Sequence, residues 1–264
     1  MKIGFIGCGN LGGALATAVS RIDGAELLVS DYDEKKAEDF AKKVGARAVT
    51  NEQIAADCEL IFLAVKPNVL LSVLFPLKDI IAKNETSTLV SMAAGVSLEK
   101  IEGYLGKPHA IIRIMPNTPA AVGEAMITYC KNSLVTDEAE AAFLKALSGA
   151  GALDAIDEKL IDAASALAGC GPAFVYMFIE ALADGAVQCG LPRDKALLYA
   201  AKTLRGAAKM VLETGKHPGL LKDEVCSPGG STIEGVAALE DGAFRATAID
   251  AVVRAFEKTK ALGK

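Results

Sequence analysis

A glycine motif directly after the first apolar segment constrains the fold more than any other feature of this chain. Residues 2–6 have the length and composition of a buried strand, and the hexapeptide GCGNLG at residues 7–12 follows at the start of a helical pattern. In such a strand–turn–helix unit the glycines permit a tight turn, a close approach of pyrophosphate to the backbone, and close helix packing. The motif predicts a dinucleotide site at Gly7, Gly9, Asn10, Leu11 and Gly12. The alternative is that the glycines only shape the turn.

The first half of the chain alternates short apolar runs with helically periodic segments. Strands are predicted at 2–6, 27–30, 60–65, 88–92 and 110–114, and helices at 11–21, 34–44, 69–82 and 98–104. Apolar strands separated by helices are typical of a parallel sheet that is covered on both faces. We therefore predict an α/β fold with an N-terminal Rossmann-type doubly wound sheet over residues 1–157.

The second half is rich in alanine, with 22 alanines from Ala155 onward, and its apolar spacing is helical. Alanine has the highest helix propensity and lets helices approach closely. Helices are predicted at 161–167, 173–189, 193–214, 232–239 and 243–262. We therefore predict an all-α domain over residues 158–264.

Asp31 stands nineteen residues after Gly12, at the end of the second predicted strand. An acid there can accept hydrogen bonds from the ribose hydroxyls of NADH and would repel the 2′-phosphate of NADPH. Alternatively, Asp31 or Asp33 caps the next helix. Because Lys35 and Lys36 are close enough to compensate a phosphate, the sequence leaves the choice between NADH and NADPH open.

Two further loops carry polar residues on constrained backbone. In residues 113–119 two prolines hold Asn117 and Thr118 beyond a predicted strand, where α/β folds place ligands, although the loop could be only a stiff connector. Residues 223–232 place Ser227, Gly229, Gly230, Ser231 and Thr232 directly before a helix. Exposed N–H groups at a helix N-terminus suit a carboxylate, but ordinary capping by Ser231 or Thr232 explains the same pattern.

Charge, hydropathy and cysteine spacing exclude several classes of protein. The net charge is −5 and no basic run exceeds two residues, so we expect no nucleic-acid partner. The uncharged stretch 163–179 is short for a membrane span and contains Gly171-Pro172, so we expect no membrane partner. No export signal is recognisable, and six widely spaced cysteines with only two histidines predict buried free thiols, no metal site and a cytoplasmic location.

The motifs contain no histidine, so general acid–base catalysis by imidazole is not expected. A nicotinamide cofactor can deliver hydride without it when the acceptor is already electrophilic, as a protonated imine is. Cys8 and Cys226 lie inside motifs, and we interpret both as small packing residues.

Five segments in order resemble those of the pyrroline-5-carboxylate reductase family across essentially the whole chain. They are residues 5–12, 64–67, 113–120, 169–173 and 223–240, and the most specific is the run CSPGGSTI at 226–233. The resemblance implies reduction of 1-pyrroline-5-carboxylate to L-proline by NADPH or NADH, the last step of proline biosynthesis. It also implies that the helical domain dimerises and that dimers assemble into a homodecamer.

The resemblance assigns roles to individual residues. It implies that Thr232 is catalytic and hydrogen-bonds the ring nitrogen of this imino-acid substrate, whose carboxylate the 227–232 turn holds. It also implies cofactor contacts at Ala64, Val65, Lys66, Pro67, Ala93, Ala94, Gly95 and Asn117. The family often has serine or threonine near the position of Asp31 and prefers NADPH, so the cofactor preference of this chain stays open. It also often has serine at the position of Cys170 and threonine or alanine at that of Ser231, and neither difference removes the hydroxyl of Thr232.

Two other functions remain as alternatives. The β-hydroxyacid dehydrogenases have a similar layout of a Rossmann domain followed by a helical domain. That family removes the hydroxyl proton of its substrate with a lysine after the domain junction, and residues 168–180 contain no lysine. A non-catalytic dinucleotide-sensing module would need the glycine motif but not the 227–232 turn.

Overall fold

The computed structural model describes residues 1–262, and the chain divides into two compact units. The first comprises residues 1–170 together with the C-terminal segment from Arg254 onward, and the second comprises residues 171–253. The predicted domain boundary, between residues 157 and 158, falls before the division between the units. The return of the C-terminal segment to the first unit was not anticipated, because it depends on contacts between residues far apart in sequence.

The first unit is built on one eight-stranded sheet in the order β3-β2-β1-β4-β5-β6-β7-β8. The strands are β1 (Lys2–Ile6), β2 (Glu26–Ser30), β3 (Arg47–Ala48), β4 (Leu60–Leu63), β5 (Thr88–Ser91), β6 (Ala110–Met115), β7 (Ala125–Lys131) and β8 (Gly151–Ala155). All neighbours are parallel except β6 and β7. The chain reverses its strand order on either side of β1, and this switch point is where doubly wound sheets bind ligands.

Alternate side chains of the central strands enter two separate hydrophobic cores, one on each face of the sheet. Phe5 of β1 and Phe62 of β4 stack in one core with their ring centroids 4.3 Å apart. Ile6 and Leu63, the next residues along the same strands, lie in the other. Because both faces are buried, these strands are apolar throughout, as predicted for a covered parallel sheet.

Helices cover both faces of the sheet. They are α1 (Asn10–Val19), α2 (Glu34–Val44), α3 (Asn51–Asp57), α4 (Pro67–Ile81), α5 (Leu98–Leu105), α6 (Asp137–Leu147) and α7 (Glu158–Ala164). The sequence did not predict β3, β7, β8, α3 or α6. β3 has only two residues and β8 is largely exposed, so neither carries an apolar run, and the antiparallel β7 mixes polar with apolar residues.

The second unit is helical, as predicted. Its helices are α8 (Gly171–Gln188), α9 (Arg193–Thr214), α10 (Pro218–Val225), α11 (Ser231–Asp241) and α12 (Phe244–Leu262), of which α12 continues into the first unit. The prediction missed α10, which begins at Pro218-Gly219, a pair that resembles a loop. The buried core of this unit is small and centres on three alanines, Ala183, Ala196 and Ala200.

A helical run from Glu158–Gln188 is long and apolar enough to cross a membrane by length and composition alone, with a mean hydropathy of 1.6 over its most apolar window. Only 11% of that window is buried. The sequence argument treated Gly171-Pro172 as a break. The run continues because Pro172 stands in the first turn of α8, where the missing N–H has no helical partner.

Candidate functional site

The glycine motif makes a tight turn between β1 and α1. Gly7 has φ +107°, and its N–H donates to the carbonyl oxygen of Ser30 at 2.8 Å. A Cβ atom at Gly12 would lie 2.5 Å from the Gly7 carbonyl oxygen and 2.6 Å from Cβ of Ala64, so only glycine lets α1 pack this closely. A Cβ at Gly9 would have no neighbour within 4 Å. The backbone at Gly9 therefore faces open space, which fits the approach of a phosphate.

Asp31 lies directly beyond β2 and is bonded to the glycine turn. Its Oδ2 accepts the Cys8 N–H at 2.7 Å and lies 3.0 Å from Nζ of Lys36, and its Oδ1 accepts the Asp33 N–H at 3.2 Å. Burial alone would raise the pKa of Asp31, but these donors stabilise its anion and the pKa lies below its usual range. Asp31 is therefore a carboxylate at neutral pH.

The N-cap of α2 is Asp33, whose side chain accepts the N–H of Lys36 at 3.1 Å. Of the two capping candidates, the structure thus assigns this role to Asp33 and leaves Asp31 facing a cleft at the carboxyl ends of the strands.

This cleft has a volume of about 1000 Å³ and is lined entirely by residues of the first unit. Among the predicted cofactor residues, those that line it are Gly7, Gly9, Asn10, Leu11, Gly12, Asp31, Ala64, Val65, Lys66, Pro67, Ala94 and Asn117. Ala93 and Gly95 do not line it: Ala93 is buried, and Gly95 adopts φ +74° in the turn that presents Ala94. The roles of the individual residues toward a cofactor stay predictions.

Asn117 is buried and both ends of its amide are engaged within the protein. Its Nδ2 donates to the carbonyl oxygen of Ala168 at 3.0 Å, and its Oδ1 accepts the N–H of Met126 at 3.1 Å. Ala168 belongs to a π-helical turn, Ser165–Gly169, that also lines the cleft. Asn117 therefore connects the loop after β6 to the π-helical turn.

Sequence reasoning missed several residues that line the cleft. They are Asn51, Glu52, Ser165, Gly169, Cys170 and Thr259, among others. Met92, which lies in the segment 91–95 that the family resemblance places beside the cofactor, also lines the cleft. Thr259 is brought in by the C-terminal segment, and no local signal marks such a contact.

Arg113, on the strand that leads into the Asn117 loop, carries a buried charge that the sequence did not predict. It lies in the predicted strand 110–114 as well as at the start of the 113–119 segment, and in the structure it belongs to β6 with a side chain that is only 4% exposed. Its guanidinium lies 3.1 Å from Glu158 Oε1 and 2.6 Å from Asp162 Oδ1, both on α7. Glu158 also accepts the N–H of Leu98 at 2.8 Å. Arg113 therefore fixes α7, which leads into the π-helical turn.

The 227–232 turn lies in the second unit between α10 and α11. The Gly230 N–H donates to the Ser227 carbonyl oxygen at 3.0 Å, and Gly229 has φ +67°, which favours glycine. Gly230 is the N-cap of α11 and no side chain caps the helix. Neither Ser231 nor Thr232 therefore has the capping role, and both are exposed on the first turn of an eleven-residue helix. Such a turn offers unpaired N–H groups and hydroxyls to an anion.

Histidine and cysteine do not supply the chemistry of the cleft. Burial lowers the pKa of His109, which pairs with Ser87, and His217 caps α10. Burial, followed by the charge of Asp31, raises the pKa of Cys8 to about 11, so this thiol stays protonated and packs beneath the turn. All six cysteines are free thiols, but the prediction that they are buried is right only for Cys8, Cys58 and Cys130, because Cys170 and Cys226 are partly exposed and Cys189 is exposed. Within residues 1–262 there is no cluster of ligands that could hold a metal ion.

Comparison with known proteins gives two family matches. A family model described as pyrroline-5-carboxylate reductase dimerisation matches residues 158–262, and one described as NADP oxidoreductase coenzyme F420-dependent matches residues 2–95. Pyrroline-5-carboxylate reductases of Escherichia coli and Methanosarcina acetivorans are each 43% identical to this chain over 267 residues, covering 100% of it and 98% of each relative. A crystal structure of Plasmodium falciparum pyrroline carboxylate reductase with NADP bound superposes with a TM-score of 0.91 at 34% identity, covering 100% of this chain and 98% of that one.

Proposed function

This chain belongs to the pyrroline-5-carboxylate reductase family, and we propose that its cleft and its 227–232 turn divide the reaction into cofactor binding and substrate binding. The protein is an NAD(P)H-dependent oxidoreductase that reduces 1-pyrroline-5-carboxylate to L-proline. The main support for this division is that no side chain caps α11. The hydroxyls and N–H groups of the turn are therefore available to bind a substrate.

The cleft residues fit a dinucleotide. The open space at Gly9 and the adjacent N-terminus of α1 suit the pyrophosphate, and the Asp31 carboxylate lies where a ribose hydroxyl is bound in this fold. The reduced nicotinamide supplies a hydride when the cofactor is bound. The rest of the cleft is lined by Lys66 and Pro67, at the start of α4, and by the loop around Asn117. These residues orient the cofactor in the cleft.

In the 227–232 turn we assign the substrate carboxylate to the N–H groups of the first turn of α11 and to the Ser227 and Ser231 hydroxyls. A Cβ atom at Gly230 would lie 2.4 Å from Oγ of Ser227, so glycine is needed to keep that hydroxyl in place. Thr232 is assigned the ring nitrogen. Its hydroxyl orients the imine while the hydride adds to carbon and the C=N electron pair moves to nitrogen, which becomes the secondary amine of proline. No imidazole is required, since the protonated imine is already electrophilic.

The structure opposes each alternative function for a different reason. A sensing module would have no use for an uncapped helix start rich in hydroxyls. A β-hydroxyacid dehydrogenase needs a base for the hydroxyl proton. Cleft residues 165–170, which precede α8, contain no lysine.

A direct assay tests the assignment. Purified protein is expected to oxidise NADH or NADPH only when pyrroline-5-carboxylate is added, with proline as the product. The measurement follows the loss of reduced-nicotinamide absorbance and quantifies proline separately. A 3-hydroxy acid with oxidised cofactor serves as the control for the dehydrogenase alternative. Turnover with the hydroxy acid and none with the imine would contradict the proposal.

The helical unit also supports self-association, in keeping with the family model for dimerisation that covers it. Its surface carries large exposed apolar side chains, among them Tyr176, Met177, Leu198, Leu212 and Ile249. Exposed apolar area on this scale marks an interaction surface. We propose that a second copy of the chain, rather than a lipid bilayer, covers this apolar surface. We further propose that the resulting dimers assemble into a homodecamer. The enzyme is proposed to work in the cytoplasm.

Light scattering tests the assembly. A single species with the mass of ten chains is expected at micromolar concentration, with dimers on dilution. The exposed substitution Met177→Glu should shift the distribution toward smaller species, because it buries a charge in the contact. Lys42→Glu on α2, in the first unit, is the matched control. An active, monodisperse monomer would contradict the proposal.

A further inference from the structure

The cleft is lined by two lysines and no arginine within the part of the chain that the structure describes. Lys66 follows β4, whereas Lys36 lies in the first turn of α2, beyond β2. The carboxyl end of β2 is where this fold binds the adenosine ribose and, in NADPH, its 2′-phosphate. Asp31 and Glu52 also line the cleft, so Lys36 is the cation available to offset Asp31 beyond β2.

The Asp31 carboxylate is already largely occupied. A carboxylate offers about four acceptor positions, and three are taken by the Cys8 N–H, the Asp33 N–H and the Lys36 ammonium. One position remains on Oδ1. With Lys36 in place, Asp31 can therefore accept one ribose hydroxyl but not a bidentate pair.

Lys36 is held much less firmly than Asp31. Its side chain is 48% exposed, against 13% for that of Asp31, and its ammonium is at the end of a flexible stem. Because the lysine side chain is about half-exposed and the Cys8 and Asp33 N–H groups still stabilise the Asp31 anion after the ammonium leaves, separating this pair costs less than breaking a buried ion pair. A 2′-phosphate carries a charge of roughly −1.5 to −2 at neutral pH and is the stronger partner for the ammonium.

We propose that Lys36 is the specificity-determining residue that lets this cleft accept NADPH despite Asp31, by exchanging the Asp31 carboxylate for the 2′-phosphate. With NADH the lysine stays on Asp31. The inference rests on the proposed function, because it assumes that the cleft binds the dinucleotide with its adenosine ribose beside β2.

The test measures dissociation constants of NADP⁺ and NAD⁺ by calorimetry without substrate. Lys36→Ala is expected to weaken NADP⁺ binding by about tenfold or more and to tighten NAD⁺ binding by about twofold, because it removes the phosphate partner and frees an acceptor on Asp31. Opposite shifts in one variant cannot arise from partial unfolding. Lys42→Ala, which removes the same charge from the exposed last turn of α2, should change neither constant.

A second variant tests the exchange itself. Asp31→Ser should tighten NADP⁺ binding by about threefold or more, because it frees Lys36 and removes a repelling charge, and the gain should disappear in the double variant Asp31→Ser/Lys36→Ala. Equal weakening of both ligands by Lys36→Ala, or no change in either, would overturn the inference while leaving the reductase assignment intact. If the unaltered protein bound neither dinucleotide, the proposed function itself would fail.

Discussion

Replacing Thr232 by alanine is expected to lower turnover of pyrroline-5-carboxylate by more than about tenfold and to leave NAD(P)H affinity nearly unchanged. The hydroxyl is exposed on the first turn of α11 and caps nothing, so its loss should remove a substrate contact without disturbing the fold. Steady-state kinetics with each cofactor, together with calorimetric cofactor titration, measure the two effects separately.

Thr232→Ser and Thr232→Val are the matched controls. Serine keeps the hydroxyl and should retain most of the activity, whereas valine keeps the shape and should behave like alanine. If alanine supported normal turnover, or valine were as active as threonine, Thr232 would have no part in the reaction. Unchanged thermal unfolding of all three variants would exclude a folding defect as the cause of a lower rate.

The parts of the site that the sequence predicted are those defined by local backbone geometry. The glycine motif is recognisable because Gly7 adopts a positive φ and a Cβ atom at Gly12 would collide with the carbonyl oxygen of Gly7 within the same turn, although Ala64 closes the space around both from far along the chain. The 227–232 turn is recognisable for the same reason, since Gly229 has a positive φ and Gly230 stands against Ser227. Local sterics of this kind leave a direct trace in the residue pattern.

The roles that sequence reasoning left open or missed depend on partners far along the chain. The pattern could not distinguish a cofactor role for Asp31 from helix capping, and the structure assigns the cap of α2 to Asp33 while the Asp31 carboxylate accepts the Cys8 N–H, 23 residues away. Asn117 was predicted to contact a cofactor, yet its amide nitrogen bonds to Ala168, 51 residues on. No periodicity or spacing encodes such pairs, because tertiary packing alone brings them together.

Arg113 is the clearest example of a residue whose role depends on partners far along the chain. Its replacement by alanine is expected to lower the free energy of unfolding by about 2–4 kcal/mol. The change would leave Glu158 and Asp162 without their cation at a site where the guanidinium is almost fully buried. The expected loss is below the upper range for buried pairs, since both carboxylates keep partial contact with water. Urea or guanidinium unfolding measures it.

A surface ion pair gives the matched control. Arg47 and Glu26 lie 3.1 Å apart, the same separation as Arg113 and Glu158, but their side chains are 65% and 42% exposed. Arg47→Ala should therefore have little effect on stability. Because Arg113 fixes α7 and thereby the π-helical turn, Arg113→Ala should also weaken cofactor binding, whereas Arg47→Ala should not. If Arg113→Ala and Arg47→Ala were equally stable, burial of the Arg113 guanidinium would contribute nothing to holding α7 and the π-helical turn in place.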